Sequence, residues 1–250
     1  MKIIIKNSKN EEVIYLEGNE YLNNPNEYKF LYDEEHDIEE FNKIIKNDYK
    51  FHNNVLPHPF FGNIEESDIL FLAKNPLYSN GYEDEISTYV YLNRHNGNLS
   101  NYLNDLKNVN FFGNWNDASN VSFYSSCRWW QKLFGNIKLK ENKYFNKIGF
   151  LNLCGYQSKS YTNKHFKFFP SIDIDSLKES IKNAKVVIVV WKSIADHLGN
   201  DFFKDTPCLS LNKGLRRGYN TIHKILYNTP DTYNEEHEMK AIEVLNKYFE

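Results

Sequence analysis

The run Asp68-Ile69-Leu70-Phe71-Leu72-Ala73-Lys74-Asn75-Pro76-Leu77-Tyr78 decides the fold. Its apolar core is too short for a helix and does not alternate with polar residues. That pattern describes a strand covered on both faces, as in a parallel sheet. Pro76 cannot donate to a ladder, so the chain must turn there. In open α/β sheets, ligands bind just beyond the carboxyl ends of such strands. Asn75 therefore stands where chemistry is usually done.

Working outward, three more apolar runs repeat the pattern, at residues 147–154, 185–190 and 206–211. Between and after them the apolar spacing predicts helices over 87–107, over 126–134 around Trp129-Trp130, over 176–183, from 193 to 198, and over 235–249. Leu177, Ser180 and Ile181 are expected toward the sheet. Met239, Ile242, Leu245 and Phe249 are expected on one stripe of the last helix. Upstream, strands are expected at 2–5 and 13–16 and a helix at 37–46. Leu56-Pro57-His58-Pro59-Phe60-Phe61-Gly62-Asn63 reads as a breaker-rich loop. The alternation predicts an α/β fold: a three-layer α/β/α sandwich around a central, mostly parallel four-stranded sheet. Residues 1–50 are expected as an appendage packed on the same domain, and residues 51–250 as the α/β domain itself.

The 250 residues suit one sizeable domain, and a hydrophobic content of 41% is enough for a packed core. A net charge of -3 provides no global field toward nucleic acid or membrane, so a contact with DNA would need a local basic patch. Cys127, Cys154 and Cys208 are far apart and odd in number, which argues against a disulfide framework, a zinc site or an iron–sulfur cluster. They fit a reducing cytoplasm. The opening Met1-Lys2-Ile3-Ile4-Ile5-Lys6 is too short for a signal segment, and no apolar run reaches the length of a membrane span. The expectation is a cytoplasmic monomer.

Each core strand ends in polar or small residues. They are Asn75-Pro76, then Asn152 with Tyr156-Gln157-Ser158, then Trp191-Lys192, then Asn212 with Arg216-Arg217. A parallel sheet puts all these ends on one edge. Amides, aromatics and a few cations would meet there, without a carboxylate pair or an evident metal set. Such a crevice favours a neutral, planar, hydrogen-bonding ligand such as a nucleobase.

On these residues the chain resembles the uracil-DNA glycosylase superfamily. Leu72-Ala73-Lys74-Asn75-Pro76-Leu77 looks like its first motif, a strand running into Gly-x-Asn/Asp-Pro-Gly/Tyr. Ser210-Leu211-Asn212-Lys213-Gly214-Leu215-Arg216 is similar in position to its second, His/Asn-Pro-Ser-Pro. Divergent bacterial members also carry a Pro-x-Pro-x-x-Gly-Asn lead-in, here Pro57 to Asn63, a Trp-Trp helix, here Trp129-Trp130, and a Tyr-His-Ser loop, here Tyr156-Gln157-Ser158. The likeness spans roughly residues 56–225. Ala73 replaces Gly, Leu77 replaces Gly or Tyr, Gln157 replaces His, and Lys213-Gly214 replaces Pro-Ser.

The resemblance implies a DNA glycosylase that flips uracil or a modified base out of DNA and hydrolyses its N-glycosidic bond. Asn75 and Asn212 would be catalytic, the first positioning water and the second stabilising the departing base. Asn152, Tyr156, Phe61 and Ser158 would hold the base, Asn152 reading its edge and an aromatic ring stacking on it. Leu215, Arg216, Arg217, Lys213 and Lys159 would contact DNA. No metal or cofactor is implied. The alternative is a non-catalytic module that binds a nucleobase or nucleotide on the same fold, in a sensor or defence role.

Overall fold

A computed structural model describes residues 3–32, 38–74, 76, 82–109, 138–190, 194, 198–210, 231–232 and 235–249. It is a mixed α/β structure built on a mostly parallel sheet flanked by helices. The expected four parallel strands are β5 (Ile69–Ala73), β6 (Ile148–Asn152), β7 (Val186–Val189) and β8 (Cys208–Ser210). Two short antiparallel edge strands, β4 (Phe60–Phe61) and β9 (Asp231–Thr232), extend the sheet to six, in the order β4-β6-β5-β7-β8-β9.

Strand count is thus one correction to the sequence reading. Phe60 and Phe61 belong to the sheet, paired with Leu151 and Phe150, although Pro57 and Pro59 made the segment read as a loop. A two-residue edge strand leaves too little alternation to detect.

The fully apolar sequence of β5 follows from its place in the middle. Alternate residues enter two different cores. Ile69, Phe71 and Ala73 face one side, where the ring of Phe71 stacks on that of Phe150 at 4.8 Å; Leu70 and Leu72 face the other. Each large side chain so buried contributes about 1.5–3 kcal/mol.

The first face is covered by α3 (Tyr82–Arg94), α4 (Tyr102–Lys107) and the last helix, α7 (Glu235–Tyr248), through Tyr91, Leu106, Ala241 and Leu245. The second is covered by α5 (Asn163–Phe168) and α6 (Ile174–Asn183), through Phe166, Leu177 and Ile181. Asp173 caps α6 by accepting the backbone N–H groups of Asp175 and Ser176 at 3.1 and 2.9 Å. Leu177, Ser180 and Ile181 are its buried face, as the spacing predicts.

The single helix expected over 87–107 is two. Asn96 and Gly97 adopt φ of 48° and 74°, a left-handed end to α3. Gly97 also accepts the Leu16 N–H at 3.3 Å, and a Cβ there would lie 2.6 Å from Leu16 O. Among the described side chains of α7, Ala241, Leu245 and Tyr248 are buried, with Phe249 just beyond it, while Ile242 is only half-buried and Met239 lies outside the described side chains. The expected helix at 126–134 lies outside the described residues, as does most of 193–198.

The N-terminal segment forms its own antiparallel sheet, β2-β1-β3, from β1 (Ile4–Lys6), β2 (Glu12–Val13) and β3 (Lys29–Leu31). Helices α1 (Gly18–Asn23) and α2 (Ile38–Ile44) accompany it. Its Ile3, Ile5, Phe30 and Phe41 join the same apolar cluster as Phe71 and Phe150.

Candidate functional site

The parallel register brings four strand ends to one edge. Ala73 pairs with Asn152, Leu72 with Val189, and Val189 with Ser210. The core order is second-first-third-fourth in chain sequence. From β5 the chain passes to one neighbour, β6, and then back across to the other, β7. The topological switch point lies between β5 and β7, where such sheets bind ligands. Lys74 leaves β5 at that point.

The exit of β5 is fastened to the segment after β6. Leu153 N–H donates to Ala73 O and Cys154 N–H to Lys74 O, both at 2.9 Å, and Ser158 N–H reaches Pro76 O at 3.4 Å. On the far side of β6, residues 56–61 form a strap. Asn152 N–H donates to Pro59 O at 2.9 Å, and His58 N–H donates to Gly155 O at 2.8 Å. The Asn152 side chain, buried at the strand end, donates through Nδ2 to His58 O at 2.7 Å. Gln157 donates through Nε2 to Leu56 O at 3.1 Å, while its Oε1 is buried without a hydrogen-bond partner.

Burial decides the protonation of the groups around this edge. His58 is enclosed beside Phe61 and Tyr102, and loss of solvent pushes its pKa down to about 3, so it is neutral at neutral pH. His52 is lowered to about 4, first by burial and then by the positive charge of Lys159. Lys74 is half-buried, and burial lowers its ammonium pKa. Its Nζ lies 5.6 Å over the ring of Tyr161. The Tyr161 hydroxyl is buried without a partner, and burial raises its pKa.

The described residues place the expected site as follows. Asn152, Tyr156 and Ser158 share one stretch along the strand-end edge, whereas Phe61 pairs with Phe150, two residues back from Asn152 inside β6. Tyr156 is buried, with its ring stacked on Tyr32 at 4.2 Å. Phe61 is buried, its ring 5.5 Å from that of His58. Ser158 Oγ donates to Ser160 O at 2.6 Å, and Lys159 is exposed on the same loop. Asn75, Asn212, Lys213, Leu215, Arg216 and Arg217 lie outside the described residues, as do Trp129, Trp130, Trp191 and Lys192.

Four residues of this edge escaped sequence reasoning. Lys74 stood inside the quoted motif but was overlooked beside Asn75. His58 lay between two prolines, where the loop reading hid its carbonyl. Asp84, in the first turn of α3, is a buried carboxylate; its backbone carbonyl accepts from the Thr88 hydroxyl, and that hydroxyl receives Leu56 N–H at the start of the strap. Tyr32 carries no local signal, because 124 residues separate it from the Tyr156 hydroxyl to which it bonds.

Among the described residues no three His, Cys, Asp or Glu side chains come together to hold a metal ion, and no helix is long and apolar enough to cross a membrane. Comparison of the chain with protein-family models, with curated proteins and with solved structures finds no match.

Proposed function

We propose that this chain is a DNA glycosylase of the uracil-DNA glycosylase kind, which takes a flipped uracil or modified base at the carboxyl edge of the parallel strands, where Asn152 stands beside the exit of β5. The observation that carries this reading is the register of Asn152 beside the exit of β5, with its carboxamide held by His58 O. One N–H is committed to that carbonyl. The second N–H and the oxygen remain as a donor and an acceptor, the pair that matches the edge of a uracil.

In this reading Asn75 orients a water toward C1′ of the deoxyribose. The C1′–N bond breaks, the water oxygen bonds to C1′, and its proton ends on the released base. Asn212 donates to a carbonyl of the base and stabilises its developing negative charge. An amide cannot accept the water's proton as a carboxylate does, so catalysis leans on orientation. Lys159, Lys213, Arg216 and Arg217 meet phosphates, and Leu215 or Arg216 fills the gap in the duplex. Lys74 adds a cation at the switch point.

The test is incubation with labelled single- and double-stranded oligonucleotides containing uracil, hypoxanthine or 5-hydroxymethyluracil. The expected result is an alkali-labile abasic site from at least one of them, lost in Asn75→Ala. No abasic product from any, with the protein folded, would contradict hydrolysis.

A second reading, base binding without cleavage, is favoured by one feature. The strand ends themselves, residues 73–76 and 152–158, offer amides, hydroxyls and a lysine but no carboxylate, and the buried Asp84 belongs to α3 rather than to a strand end. Binding of a free base without turnover would support it.

A further inference from the structure

We infer that Tyr32, from the N-terminal segment, is a positioning residue for the candidate site: it holds the loop after β6 in the shape that presents Asn152 at the strand-end edge. The inference rests on the base-binding reading above.

Tyr32 is buried just past β3 and is hydrogen-bonded to that loop at two points and to the end of α5 at a third. Its backbone N–H donates to the Tyr156 hydroxyl at 3.0 Å. Its own hydroxyl accepts the Gly155 N–H at 3.0 Å and donates to Phe169 O at 2.9 Å. The Tyr32 and Tyr156 rings lie 4.2 Å apart and 16° from parallel. One hydroxyl thus satisfies both a buried donor and a buried acceptor, which would each cost about 1–3 kcal/mol if left unmade.

The contact is one of a series. His52 N–H donates to Gln157 O at 2.9 Å, Ser160 N–H donates to Asp48 O at 2.8 Å, and His165 Nε2 lies 2.7 Å from Tyr49 O. The ring of Phe51 sits 5.3 Å from that of Tyr156. The stretch from Gly155 to Phe169 is therefore held by Tyr32 and by residues 48–52, and its start, at Gly155 and Gln157, also by the strap. Gly155 joins the two: its N–H goes to Tyr32 and its carbonyl receives His58 N–H, whose own carbonyl orients Asn152. The chain of bonds runs Tyr32, Gly155, His58, Asn152.

The test compares Tyr32→Phe with Tyr21→Phe in the full chain. Tyr21 is also buried, and its hydroxyl donates to Asn54 O at 2.8 Å, so it reports the plain structural cost of losing a buried hydroxyl. Two readouts are taken: amide hydrogen exchange at Gly155 and Tyr156, and excision or binding of uracil, hypoxanthine or 5-hydroxymethyluracil, whichever the wild-type chain acts on. In Tyr32→Phe the Gly155 amide is expected to exchange faster, and kcat/KM or base affinity to fall, each by about tenfold, the equivalent of one lost hydrogen bond at the upper end of its net worth. Tyr21→Phe is expected to leave both unchanged. Equal exchange at Gly155 in the two variants would overturn the inference. So would a gain of activity in Tyr32→Phe, which would show that Tyr32 occupies the place of the base. If the wild-type chain neither binds nor excises any base, the functional reading fails, and the exchange at Gly155 still decides whether Tyr32 holds the loop.

Discussion

His58 shows how much a single buried residue settles through its backbone and its ring together. Its carbonyl orients Asn152, its N–H ties down Gly155, and its ring is kept neutral by burial. His165 is held similarly, with a pKa lowered to about 4 by burial despite the opposing pull of Tyr49 O. Each folded value lies below the ordinary 6.5, so between that pH and the folded pKa the unfolded chain binds protons that the folded chain refuses. Stability from these groups is complete above pH 6.5 and is lost as the pH falls toward 4 for His52 and His165 and toward 3 for His58. The melting temperature is expected to drop across that window, and His58→Phe, which keeps the packing on Phe61 and Tyr102, to flatten the slope. An unchanged slope in the variant would contradict the buried, neutral His58. At this scale Asn152 was legible, because an amide closing an apolar strand is conspicuous. Tyr32 was not, because nothing in its neighbours announces a partner so far along the chain.

Among the elements, the strap at 56–61 and the loop at 153–158 are the pair on which the site geometry depends. Gly155 sits between them. A Cβ at that position would lie 2.8 Å from Pro59 Cα and 2.9 Å from Pro59 N, backbone atoms that cannot swing aside. Gly155→Ala is therefore expected to cost about 1–3 kcal/mol, the usual penalty of overpacking, measured as a lower urea midpoint at unchanged slope. A wild-type midpoint would mean that the strap is not packed against the loop. The four core strands were readable because continuous apolar runs leave few alternatives. The edge strand at Phe60–Phe61 and the break between α3 and α4 were not. The first is too short to show a period, and the second depends on the left-handed Asn96 and Gly97 and on a tie to Leu16 from elsewhere in the chain.

Across the whole molecule, the two edges of the main sheet have different tasks. At the amino edge, Asp68, Lys185 and Tyr248 lock α7 to the sheet; the Tyr248 hydroxyl donates to Asp68, and Lys185 Nζ lies 2.8 Å from the same carboxylate. Burial raises the Asp68 pKa, but the hydrogen bonds from Lys185 and Tyr248 outweigh it and hold the carboxyl below its ordinary value. At the carboxyl edge, polar groups gather around the switch point, and the N-terminal segment closes over the loop beside it. The strand-end residues along this edge could be read from the apolar runs alone, whereas the layer that orients them could not, since it is built from backbone carbonyls and distant rings. The central claim is that this edge binds a nucleobase, with or without cleavage. Titration calorimetry with free uracil, hypoxanthine and 5-hydroxymethyluracil, on the wild-type chain and on Asn152→Ala, tests it most directly. At least one base is expected to bind the wild type and to bind Asn152→Ala more weakly by about tenfold, the worth of a good base-edge contact. No heat of binding with any of the three, or equal affinity in the folded variant, would contradict it.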